Sequence, residues 1–228
     1  MLISLVAACS NRVNASRILM EVNGVPIIEE DFNRQLEYEL SYQELKPDDQ
    51  VHPQNPGLMT LEQVKRKILW KELIPMAVVR AAYKEKIPTL MEEAGKIMHE
   101  LSEDGSDFAE KAAKYSGDSN AQKGGCWRTV TRRSLYYPLP RILFNAEPNE
   151  IIGPVLSLVG CHIVWMQEKH KGMMTSDDTL VASHILLPFE AGRMDFLPVV
   201  IDQLVKEAHI VVKDPAFAAL ADPEKNDS

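Results

Sequence analysis

Apolar residues recur along this chain in two rhythms. Phe32, Leu36 and Leu40, with Leu45 one step of five further on, then Val64, Ile68, Leu69 and Leu73, then Leu90, Met91, Ala94, Ile97, Met98 and Leu101 recur at helical spacing, which places one apolar stripe on each of several helices. Gly160 to Met166 and Val181 to Leu187 are instead short apolar runs, rich in β-branched residues and bounded by turn-prone sequence, as largely buried strands read. Each run carries one histidine. Side chains alternate by twos along a strand, so His162 shares a face with Val164 and Met166, and His184 shares one with Leu186. A register therefore exists that places both imidazoles on one face, and the connection Lys169 to Asp178 easily joins antiparallel neighbours. We expect a hairpin bearing two facing histidines.

Around this hairpin the pattern predicts further elements. Glu21 to Ile27, with an Asn23-Gly24 turn signal, predicts a short strand leading into an acidic helix start at Glu29-Glu30-Asp31, where negative charge suits the positive end of the helix. Pro47 to Gly57 contains three prolines and reads as a loop. Thr60-Leu61-Glu62-Gln63 fits a capping box, and Pro75, inside the pattern that follows, predicts a kink or interruption. Helices are expected from Pro88 to near Gly105 and from Asp107 to Tyr115, a strand at Cys126 to Val130, and short helical turns from Leu135 to Phe144. Phe196 to Val212 predicts a last helix and a strand able to pair with Val22 to Ile27.

Charge narrows the partners. Net −8 over 228 residues argues against nucleic acid and anionic lipid, either of which would need a basic face, and leaves a neutral or basic partner open. Met1 to Cys9 is a short apolar run ending in small residues, and Val6-Ala7-Ala8-Cys9 looks like a lipobox, although the basic segment of a signal is missing. We expect export, with a lipidated Cys9 and a chance apolar terminus both open, and Asn11 to Met20 as a tether. The three cysteines, at 9, 126 and 161, match no zinc spacing; Cys126 and Cys161 read as free, partly buried thiols.

Asp107-Phe108-Ala109, Tyr115-Ser116, Asp118, Gly124-Gly125, the Glu150 turn, Gly153-Pro154-Val155 and Gly160-Cys161-His162-Ile163 fall in the order and near the spacing of the parvulin peptidyl-prolyl isomerase domain. The resemblance covers about residues 90 to 168. Val22-Asn23-Gly24 with the following helices, and Lys206 to Val212, resemble the helical chaperone module of SurA-type and PrsA-type foldases, built from both chain ends. One piece is displaced. Parvulins begin with a strand of the form Ser/Arg-His-Ile-Leu, which appears here only at Ala182 to Leu187, after the usual last strand. The resemblance thus implies a circular permutation. It implies an α+β fold with a four-stranded antiparallel sheet and surrounding helices, plus the helical module. The implied layout is a leader and tether at 1–20, the N-terminal helical module at 21–88, the parvulin-like domain at 89–190, a completing helix and strand at 191–215, and a tail at 216–228.

The resemblance also assigns roles. His162 and His184 would be the paired histidines under the site, Asp118 would lie beside the substrate carbonyl, and Ser157 would sit near the pair. Trp127, Leu135, Leu139 and Phe144 would contact substrate. The bland alternatives stand beside these: satisfied core histidines, a loop-capping aspartate, a structural serine and ordinary core apolar residues. The family's Gly-Gly-Asp-Leu-Gly is Gly124-Gly125-Cys126-Trp127-Arg128 here, which affects substrate fit more than fold. The implied activity is prolyl cis-trans isomerisation, which makes and breaks no bond and needs no cofactor or metal. Its substrates would be unfolded or nascent exported polypeptides with X-Pro bonds, in the periplasm or cell envelope. The alternative is a non-catalytic holdase or assembly factor. Arg128, Arg132, Arg133 and Arg141 read as a solvated basic run, and Pro188-Phe189-Glu190 gives no basic cluster for a phosphorylated substrate.

Overall fold

The computed structural model describes residues 16–42, 59–101, 105, 107–190 and 197–222. The lipobox-like start, Leu45 and the proline-rich loop lie outside them.

Two sheets organise the chain. Strands β1 (Ile18–Val22) and β2 (Val25–Ile28) form a hairpin on Asn23 and Gly24, whose φ values of 50° and 80° lie in the left-handed region that a tight hairpin turn demands. Strand β7 (Ile210–Val212) pairs antiparallel with β1, giving the order β2-β1-β7. The strand thus starts earlier than expected. Leu19 and Met20, read as tether, have no exposed surface, because they pack into the core of the helical layer.

That layer comprises α1 (Glu29–Tyr42), α2 (Leu61–Lys67) and α3 (Ile74–Ala82). Thr60 and Gln63 form the predicted capping box at α2. Pro75 does not break the helix. A π-helical turn at Ile68–Leu73 precedes it, with Ile74 N–H bonding to Leu69 five residues back. The wider turn absorbs a residue that can neither donate four back nor tolerate the carbonyl there. Helix α3 is apolar nearly all round because it serves two cores: Ile74, Ala77 and Val78 face the three-stranded sheet, while Met76 and Val79 face the second domain.

Helix α1 departs from its predicted stripe. It buries Phe32, Gln35, Tyr38 and Glu39, while Leu40 is exposed. The buried carboxylate of Glu39 meets Lys67 Nζ at 2.7 Å, and Glu72 lies 3.9 Å from the same ammonium. The described part of the expected tail, to Asp222, is also packed. Phe217 meets Phe32 edge to face at 5.0 Å, Arg66 donates to the carbonyls of Ala219 and Asp222, and Trp70 Nε1 donates to that of Leu220. No helix among the described residues is long and apolar enough to cross a membrane.

The second sheet has the order β3-β6-β5-β4, all antiparallel, from β3 (Cys126–Thr131), β4 (Ile151–Leu156), β5 (Gly160–His170) and β6 (Thr179–Pro188). One face carries Cys161, Ile163, Ile185 and Leu187 and is covered by α4 (Ile87–Glu100) and α5 (Phe108–Tyr115). The other carries Val164, Met166, Leu180 and Ala182 under Leu139 and Leu143 of α6 (Leu139–Asn145). The chain enters this domain after α3 and leaves it at Phe189, where Tyr83 and Phe189 stack at 4.3 Å and Lys86 Nζ donates to the Phe189 carbonyl. Helix α7 (Leu197–Lys206) then returns against α3.

Candidate functional site

The two histidines meet in the middle of the sheet. His184 lies directly across from Val164, and His162 across from Leu186, so both imidazoles stand on the α6 face, diagonal to one another. His162 Nδ1 is 2.9 Å from His184 Nε2, and the rings stack with centroids 4.9 Å apart. Ser157, on the turn between β4 and β5, places Oγ 2.6 Å from His162 Nε2. All three side chains are buried.

Burial holds both imidazoles neutral. Desolvation lowers the His184 pKa to about 3; desolvation, and then the neighbouring ring, push His162 well below its ordinary value. Two neutral rings share one N–H between them, so a direction must be chosen. Ser157 Oγ already accepts from Val159 N–H at 3.2 Å, which leaves its O–H to donate to His162 Nε2. The His162 proton then sits on Nδ1 and is donated to His184 Nε2, and the His184 proton sits on Nδ1. This chain leaves one buried group, His184 Nδ1, without a partner among the described residues. The reverse direction would strand the Ser157 hydroxyl proton as well, so the first is favoured.

Strand β3 reaches this pair because of Gly125. At φ +68°, Gly125 accepts from His184 N–H at 2.9 Å, and a Cβ there would lie 2.1 Å from the His184 carbonyl oxygen. The close approach lets Trp127 lie over the His184 ring with centroids 4.0 Å apart. Leu135 and Phe144 are partly buried beside the Leu139 and Leu143 core, whereas Leu139 itself is only 1% exposed. Of the predicted substrate-contacting residues, then, Leu139 underlies the surface. Trp127 and Leu135 line a groove of about 570 Å³ beside β3, together with Asn120, Lys123, Cys126, Arg128, Thr129, Val130 and Ser134.

Asp118 is held near the end of β6, since Gly117 N–H donates to the Leu186 carbonyl at 2.8 Å and Ser116 Oγ accepts from Leu186 N–H at 3.0 Å. Its carboxylate accepts from Asn120 N–H at 2.7 Å, as a loop-capping aspartate does. No sequence pattern marks Arg132, which reads as part of a solvated run. Its side chain is only 9% exposed, donates to Tyr38 Oη at 2.6 Å, pairs with Asp178 at 3.3 Å and lies 4.0 Å from the Phe144 ring centroid. It ties α1 to the hairpin that bears the histidines. Cys126 and Cys161 are free thiols.

Residues 73–168 match the rotamase family model, described as the PPIC-type PPIASE domain, so the chain carries a parvulin-type domain with the α+β fold described above. The match ends at Glu168, before the strand that carries His184. Among curated proteins, the chain is similar to several named Chaperone SurA. That of Colwellia psychrerythraea is 33% identical over 109 residues, 46% of this chain and 24% of the relative. That of Photobacterium profundum is 33% identical over 115 residues, covering 50% and 26%, and that of Photorhabdus laumondii 36% over 107, covering 46% and 24%. The aligned segment spans about a quarter of these relatives' length. No solved structure matches.

Proposed function

We propose that this protein is a peptidyl-prolyl cis-trans isomerase that assists the folding of exported polypeptides. The observation that carries the reading is the neutral Ser157–His162–His184 chain beside Trp127. A prolyl bond resists rotation by roughly 18–20 kcal/mol and isomerises unaided in tens to hundreds of seconds. A catalyst need only favour the twisted amide, by seating the ring on an apolar surface and weakening nitrogen–carbonyl resonance. Trp127, Leu135 and Phe144 supply that surface, with Leu139 supporting it from below. His162 and His184 set the polarity of the floor by hydrogen bonding, without moving protons, and Ser157 is a positioning residue that fixes their tautomers. Asp118 lies beside the substrate carbonyl.

We further propose that the domain is circularly permuted. β6 lies at the sheet centre although it follows β5 in the chain. Ending the chain after Gly172 removes it, and a shortened chain that still folds and isomerises would refute the permutation. The relatives named chaperones support a folding role, and the apolar run at 1–9 supports a periplasmic or envelope location. Incorporation of labelled palmitate, abolished by Cys9→Ser, tests the lipid anchor.

Two-dimensional exchange NMR on Ala-Pro peptides tests the activity. A cis-trans rate above background is expected, and none from the intact chain would sink it. The holdase alternative draws on the packing of Trp127 over the His184 ring, which covers the imidazole. In that case the same peptides bind with no gain in exchange rate.

A further inference from the structure

The groove beside β3 touches five consecutive residues of that strand, Cys126 to Val130. Alternation brings only every second side chain to one face, and the single bulge between Trp127 and Val130 adds one residue to that, so a cavity that meets five in a row lies along the strand's edge. Among the described residues β3 is the edge of its sheet and pairs only with β6. Its other rim pairs with no strand among the described residues, and such an edge is a template for one more strand.

The rim is also charged with one sign. Lys123 and Arg128 line the groove, both exposed, and no carboxylate lines it among the described residues. Neither cation forms a salt bridge among the described residues. This stands out in a chain of net charge −8.

We propose that the groove takes an extended acidic polypeptide segment, which adds a strand to β3 and sets its carboxylates against Lys123 and Arg128. Backbone pairing supplies sequence-tolerant affinity, and the two cations select for acidic residues around the segment. The inference deepens the isomerase reading by naming a substrate class. It rests on that reading only in treating the surface of Trp127 and Leu135 as the place where polypeptide binds.

The test uses three fluorescent peptides of equal length around one Ala-Pro, with glutamate, glutamine or lysine at the flanking positions, bound to the full chain and read by anisotropy. Two exposed pairs predict a preference of roughly five- to tenfold for the glutamate peptide over the glutamine one, fading as salt screens them. Lys123→Gln with Arg128→Gln should erase that preference and leave binding of the glutamine peptide unchanged. N-methylation of successive peptide amides should weaken binding at alternate positions, as a paired strand requires. Equal affinity for the glutamate and glutamine peptides, or a preference that survives the double substitution, overturns the charge selection. Indifference to N-methylation at every position overturns the strand pairing. Exchange rates on the glutamine peptide report the isomerase reading separately, so the two can fail independently.

Discussion

Gly125→Ala tests whether the approach of β3 to β6 is as close as the geometry requires. The new methyl would sit 2.1 Å from the His184 carbonyl oxygen and 3.0 Å from its carbonyl carbon and amide nitrogen. All are backbone atoms of a central strand, so no side chain can swing away. Holding a non-glycine residue at φ +68° costs roughly 1–2 kcal/mol. Relieving the clash requires β3 to retreat and lose the bond from His184 N–H to the Gly125 carbonyl, a further cost of roughly 1–3 kcal/mol for buried groups left unpaired. The sum is roughly 2–5 kcal/mol, or a fall of roughly 4–20 °C in melting temperature for a chain of this size. Differential scanning calorimetry measures it, and tryptophan emission should shift as Trp127 lifts from the imidazole. Gly95→Ala is the control, because its Cβ would meet nothing within 4 Å inside α4; that variant should gain roughly 0.5–1 kcal/mol. A Gly125→Ala protein that melts within a degree of wild type would show that the strands do not approach as described.

The remaining predictions concern buried polar groups. His184 is neutral when folded, with its pKa near 3, and ionises at its ordinary value when unfolded. Its contribution is therefore complete above about pH 6.5 and lost as pH falls from there toward 3. His184→Gln should flatten the acid limb of melting temperature against pH. Glu72 is shifted the other way, up to about 8, by desolvation and then by Glu39. Its contribution is complete below the ordinary carboxylate range and lost as pH rises through 8, so Glu72→Gln should gain stability over wild type at pH 9 but not at pH 4, read by urea midpoint. Arg132→Ala removes the Tyr38 bond, the Asp178 pair and the contact with Phe144, a loss of roughly 2–3 kcal/mol by chemical denaturation. Arg132→Lys should recover less than half of it, since an ammonium lacks the planar fork.

The parts of the fold that were legible in the sequence are those specified by short-range pattern. The alternation in β5 and β6 placed both histidines on one face, and Thr60 with Gln63 marked the start of α2. What escaped depends on partners far away in the chain. Gln35 and Glu39 are buried in place of Leu40 because Lys67 and Glu72 come to meet them, and helical periodicity carries no trace of that. Arg66 and Trp70 hold residues 219–222, which have no pattern of their own and so read as a tail. Arg132 looked like one of several solvated arginines until α1 and the β5–β6 connection closed around it. At the site, residue type and order suggested Ser157, His162 and His184 through family resemblance. The roofing of His184 by Trp127 follows from Gly125, a backbone effect that no side-chain pattern announces.

The order of β5 and β6 in the chain also bears on how the site assembles. His162 and His184 sit on two strands joined through residues 171–178, so the contact that defines the site is local, and closing so short a loop costs little entropy. The pairing of β1 with β7, by contrast, joins residues 20–22 to 210–212 and must close nearly the whole chain. Contacts of low sequence separation form early and distant ones late. During synthesis the histidine hairpin is available as soon as residue 188 emerges, and the three-stranded sheet can seal only once the last helix has followed it out.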